Sequence, residues 1–162
     1  MKVRSTLCAV IVFGLAACSG DASSVSVSDV PEGKHWQVTL DGDTPETGTT
    51  LMRQQLPGQL ALIGTGGPGL SGIILLVPVE TDYETGVFEK GVELELPGVG
   101  DFGHCELKED SNTPNASVSV NITENSRELF VATFEFSDLE CKKEAAVVSG
   151  SGVITEKKPV KG

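Results

Sequence analysis

The chain has 162 residues, which suits one domain with a modest hydrophobic core. Hydrophobic residues make up 39%, too many for a disordered chain, while 19 glycines, eight prolines and only 5% aromatics speak for a turn-rich, all-β domain. The formal charge of −11 argues against nucleic acid and against direct binding to anionic lipid head groups, because such a surface repels phosphates.

Met1-Lys2-Val3-Arg4 forms a short positive start. Leu7 to Ala17 follows as an apolar run of 11 residues, where a membrane span needs about 20. Length and charge predict a signal peptide, helical over residues 3–17. The run ends in Leu15-Ala16-Ala17-Cys18, which resembles a bacterial lipobox. Small residues there admit the peptidase to the backbone. Leucine three positions before the cut suits a lipoprotein precursor and not an ordinary signal peptidase site. The resemblance implies cleavage before Cys18, a diacylglyceryl group on its thiol and an acyl chain on its freed amine. Two or three chains satisfy the two-signal requirement for stable anchoring. Serine, not aspartate, stands at position 19, which implies the outer membrane. Without Lys2 and Arg4 the mature chain keeps ten basic and 23 acidic side chains, a formal charge of −13. The small polar segment 18–29 reads as a flexible tether, and residues 30–157 as the β domain. The basic tail, 158–162, is expected to fray.

Period-2 patterns fill the body. Trp36, Val38 and Leu40 share one parity, with Trp36 expected in the core; Leu60–Ile63 and Ile73–Val79 are short apolar runs. A strand over 87–96 is interrupted at Gly91. Val118, Val120 and Ile122 alternate with polar residues, and Phe130, Ala132, Phe134 and Phe136 share a parity. A last strand, 147–155, is spaced by glycines. Asp41-Gly42-Asp43, Leu56-Pro57-Gly58, Leu96-Pro97-Gly98, Asn112-Thr113-Pro114 and Glu124-Asn125-Ser126 mark turns. The pattern predicts about 8–10 short strands in an antiparallel β-sandwich or squashed barrel.

Ile122-Thr123-Glu124-Asn125, Ala132-Thr133-Phe134-Glu135-Phe136 and Gly152-Val153-Ile154-Thr155 follow one another in residues 117–155. This order resembles the C-terminal part of small β-rich outer-membrane lipoproteins. Ala132 stands where such relatives often carry glycine. The resemblance implies a β-sandwich and brings no catalytic residues with it.

Of four cysteines, Cys8 leaves with the signal peptide and Cys18 is the lipidation site. Cys105 and Cys141 remain, in a domain bound for an oxidising compartment, and are read as a disulfide. Closing roughly 37 residues, it would contribute about 4 kcal/mol in the chain-entropy model. The other reading, a metal pair with His104, needs further ligands, and only two histidines exist.

Gly64-Thr65-Gly66-Gly67-Pro68-Gly69 satisfies G-x-G-x-x-G, but no helix pattern follows and Pro68 lacks an N–H, so it reads as a connection between strands. Asp41, Asp43 and Glu46 are the candidate Ca²⁺ ligands, on a loop that lacks the EF-hand series and reads first as a solvated turn. Glu106, Glu109 and Asp110 read alike. His35 and His104 could meet across a sheet, and a Ser–His hydrolase would need one of them, but no Gly-x-Ser-x-Gly elbow is present. The sequence therefore points to a lipid-anchored, non-enzymatic envelope module without a cofactor, binding a protein or small molecule. A secreted hydrolase and an acidic Ca²⁺-binding protein are the alternatives.

Overall fold

The computed structural model describes residues 28, 30–41, 43–67, 69–108, 115–143 and 146–157. Residues 1–17, read above as a signal peptide, Cys18 and the tail 158–162 lie outside them. Eleven strands form one antiparallel sheet that curls into a nearly closed barrel, with no α-helix among the described residues. They are β1 (Trp36–Leu40), β2 (Glu46–Gly48), β3 (Thr50–Leu56), β4 (Gln59–Thr65), β5 (Gly72–Pro78), β6 (Gly86–Phe88), β7 (Glu93–Val99), β8 (Gly103–Leu107), β9 (Ser117–Asn125), β10 (Leu129–Cys141) and β11 (Val147–Lys157). A 3-10 turn, Gly100–Phe102, joins β7 to β8.

The main path runs β2-β1-β11-β10-β8-β7-β5-β4-β3. Its two edge strands, β2 and β3, are separated in sequence by Thr49 alone, so the chain itself brings the last strand back to the first. The sheet branches at the 13-residue β10. One edge of β10 pairs with β11. The other pairs with β9 over its first part and with β8 only at Glu140↔Glu106 and Cys141↔Cys105. β6 extends the β9 branch.

Alternation fills the interior. Leu60 and Leu62 of β4, Ile73, Leu75 and Val77 of β5, and Leu94 and Leu96 of β7 are buried. They meet Val118, Val120 and Ile122 of β9 and Phe130, Phe134 and Phe136 of β10 in one cluster. The glycines of β11 have a packing reason. Gly152 and Gly150 stand opposite Phe134 and Phe136, and a Cβ at Gly152 would overlap the Phe134 ring. The two phenylalanines, centroids 6.2 Å apart, lie over the strand that lacks side chains.

Two bulges reset the pattern. Between Phe136 and Leu139, β10 carries one residue more than β11, so burial passes from even to odd positions and Leu139 and Cys141 still face inward. Asp138 takes φ 54° there, and its N–H donates to Ser149 Oγ at 3.0 Å. In β9 the register shifts between its pairs Glu124↔Val131 and Ile122↔Ala132, and the extra residue turns Asn125 into the structure, 7% exposed.

The loop that satisfied G-x-G-x-x-G is the β4–β5 connection. Trp36, fully buried, donates from Nε1 to Thr65 O at 3.3 Å, and its indole lies against Gly48, Gly64 and Gly67. A Cβ on any of the three would run into the ring. The glycines make room for a tryptophan, not for a pyrophosphate.

Candidate functional site

The predicted disulfide is present. Cys105 and Cys141 are directly opposite on β8 and β10, with Cα atoms 4.0 Å apart and a 2.00 Å S–S bond. Both side chains face the core. The bond reinforces a junction otherwise made by two register pairs, and it excludes a metal held by the two thiolates.

His104 and Glu106 flank Cys105 and therefore project from the outer face of the sheet. Glu106 has Glu95 as its cross-strand partner on β7 and Glu140 on β10. Like charges opposite one another destabilise a sheet. Here two lysine cations and the His104 ring face them. His104 Nε2 lies 2.9 Å from Glu106 and 3.8 Å from Glu95. Lys108 Nζ lies 3.0 Å from Glu106 and 3.3 Å from Glu95, and Lys142 Nζ 3.4 Å from Glu106. Hydrogen bonds from Lys108 and then His104 hold the Glu106 carboxyl down at about 2. The same contacts, Glu106 first, raise the Lys108 ammonium. Glu95, His104 and Glu106 bring three ligand atoms within 4.8 Å of one another, as a metal centre would. The lysines already neutralise them, so the cluster works as an ion-pair network, and a metal would have to displace Lys108.

Asp41, Asp43 and Glu46 do not converge: among the described residues the group around His104 is the only such trio. Asp41 and Asp43 are exposed. Glu46, on β2, instead accepts the Gly69 N–H at 3.1 Å and so ties the β4–β5 loop to the opposite edge of the sheet. The two histidines are apart as well. His35 Nδ1 is 3.2 Å from Thr155 O on β11, while His104 sits beyond β10 on β8. Their described contacts are to a carbonyl and to carboxylates, and neither is to a serine.

The barrel has two unlike ends. At one, a cavity of about 400 Å³ opens between the β1–β2 connection, the β4–β5 loop and the 3-10 turn. Val38, Leu40, Leu70, Val99 and Phe102 form its apolar wall. Leu70 and Val99 are joined as an isolated antiparallel bridge, which fixes the loop to the end of β7. Asp43, Glu46 and Asp101 also line it. Phe102 keeps 36% of its surface exposed at the rim.

At the other end a depression of about 390 Å³ is lined by Arg53, Gln55, Leu60, Tyr83, Asn125 and Arg127. Its polar groups serve one another. Arg53 of β3 donates to Ser126 O at 2.7 Å and to Asn125 Oδ1 at 3.3 Å, and its guanidinium lies 5.2 Å from the Phe130 ring centroid. Its Nε reaches Glu156 of β11 at 3.1 Å, an ion pair without hydrogen-bond alignment. Arg53 thus closes by side chain the seam between β3 and β11 that no backbone pairing closes. Asn125 Nδ2 donates to Glu84 O at 2.9 Å, and Arg127 Nε to Tyr83 Oη at 3.0 Å.

Sequence reasoning passed over Leu70, Val99, Asp101 and Phe102. Each belongs to a turn or strand end without a motif, and only the fold places them beside Val38. The sole trace was local composition, a phenylalanine between Gly100 and Gly103. Compared with protein-family models, curated proteins and solved structures, the chain matches none.

Proposed function

We propose that this chain is a lipid-anchored envelope protein of the outer membrane, held by Cys18, whose β-barrel is a non-enzymatic binding module with its ligand site at the cavity end. The cavity carries the binding part of this reading. It is mostly apolar, it falls within the roughly 300–1,000 Å³ usual for small-ligand sites, and its wall is fixed by the Leu70–Val99 bridge. The lipobox Leu15-Ala16-Ala17-Cys18 supports the anchor. Ser19 to Asp29 would then hold the barrel away from the bilayer.

Mass spectrometry of the protein extracted from its native envelope tests the anchor. The expected mature N-terminus is a Cys18 heavier by the mass of its acyl groups, and Cys18→Ser should move the protein out of the detergent phase. An unmodified Cys18, or retained residues 1–17, sinks that part. The neutral dye Nile red tests the cavity. Saturable fluorescence enhancement is expected, and Phe102→Asp should weaken it. Enhancement that never saturates, or that survives this substitution, counts against the cavity.

A further inference from the structure

We infer that the cavity selects a small organic cation, an ammonium- or amidinium-type group carried on an apolar body. This rests on the binding-module reading above and specifies its ligand. Three acidic residues line the cavity from separate segments: Asp43 from the β1–β2 connection, Glu46 from β2 and Asp101 from the 3-10 turn. None has a described basic partner. The described ion pairs of Arg53, Lys108 and Lys142 lie elsewhere, at Glu156 and at the Glu95–Glu106 pair. Glu46 does engage the Gly69 N–H, so part of its charge is directed into the fold. Asp43 and Asp101 are exposed at the rim.

Carboxylates beside an apolar wall focus a negative potential into the opening, and the chain's overall charge of −11 adds to it. An anion is repelled there. A neutral apolar molecule would fill the wall but gain nothing from the carboxylates. A cation with an apolar body uses both. Phe102 adds an exposed aromatic ring at the same rim, a surface that attracts cations through its π face. A bare metal ion fits less well. Calcium wants six to eight oxygens around one point, and these three carboxylates do not gather their ligand atoms within 4.8 Å. Carboxylates spread around an opening suit a charge that is itself spread or carried on a bulky group.

The test compares three probes of one shape: 4-phenylbutylammonium, 4-phenylbutanol and 4-phenylbutyrate. Each is titrated into the full chain carrying Cys18→Ser, so that no acyl chain competes, and followed by backbone amide NMR. The ammonium should bind at least tenfold more tightly than the alcohol, shift the resonances of Leu70, Val99 and Phe102, and weaken in 0.5 M NaCl. The butyrate should not saturate. Asp43→Asn with Asp101→Asn, both exposed and outside the core, should bring the ammonium down to the alcohol's affinity. Equal binding of ammonium and alcohol at these residues overturns the charge selection and leaves the binding module standing. No shift at these residues with any probe overturns both. Calcium chloride alone producing the same shifts at lower concentration overturns the organic cation in favour of a metal.

Discussion

The two ends of the barrel enclose nearly equal volumes and differ in what their polar groups are doing. Around Arg53, donors and acceptors are spent on one another, and the seam of the sheet depends on them. At the Phe102 end the closure rests on Trp36 in its glycine slot, the Leu70–Val99 backbone bridge, the Glu46–Gly69 hydrogen bond and the Cys105–Cys141 bond. That closure leaves Asp43 and Asp101 at the rim without basic partners among the described residues. A cavity becomes a site through uncommitted chemistry and not through size. The arginine end holds the barrel shut, and the carboxylate end keeps Asp43 and Asp101 exposed.

The largest effect is expected from removing the covalent brace. Cys105→Ser with Cys141→Ser should destabilise the protein by about 4 kcal/mol, the chain-entropy value for the closed loop. The β8–β10 junction then rests on two register pairs. Urea unfolding measures the loss, and hydrogen exchange should accelerate around residues 100–107 first. Uniform acceleration would show that the bond does not serve the cavity end in particular.

Arg53→Met should cost about 3 kcal/mol, because it strands Glu156 in a partly buried seam. Exchange should accelerate at β3 and at residues 125–127, while the cavity keeps its affinity for the ammonium probe. If that affinity falls with stability, the two ends are coupled and their contrast is only local.

Gly64→Ala should cost about 2 kcal/mol by overpacking. Its methyl group would press on Trp36 and Ile73. Trp36 is the single tryptophan, so its emission reports the displacement directly. Unchanged emission and stability would mean that the glycine slot is not needed for the indole.

The smallest effect belongs to the outer-face network. Glu106→Gln should cost no more than about 1 kcal/mol at neutral pH, since solvent screens the pairs. The carboxyl is depressed from 4.5 to about 2, so its contribution is present above 4.5 and is lost as pH falls through 2. The parent and the variant should therefore converge in stability between those values. A difference that persists below pH 2 would assign the effect to packing.

Much of the fold was legible wherever one face of a strand is wholly apolar. The parities of Val118–Ile122 and Phe130–Phe136 appear in β9 and β10 as read, and the break at Gly91 falls between β6 and β7. β3 was not legible. Its sequence, Thr-Leu-Met-Arg-Gln-Gln-Leu, turns Arg53 inward and leaves Met52 half exposed, which inverts the usual sign of the pattern. The strand count rose from the expected 8–10 to eleven partly because β2 and β6 have three residues each, too few to show a period. Asn125 was read as a turn residue, whereas the bulge in β9 makes it a buried partner of Arg53.

By itself the sequence determined the local periodicity, and with it the all-β class and most strands. It also carried the cysteine pairing: with Cys8 read as part of a signal peptide and Cys18 as a lipid anchor, two thiols remain. The N-terminal pattern is equally local: a positive start, an apolar run and a small-residue stop all stand within residues 1–18. Tertiary structure alone decided that the sheet curls into a nearly closed barrel, that Arg53 fills the remaining seam, and that Asp43, Glu46 and Asp101 share one opening. Those outcomes depend on twist, bulges and pairing between residues dozens of positions apart. No window of alternating side chains encodes them, since each strand specifies which face is buried and leaves open which strand will cover it.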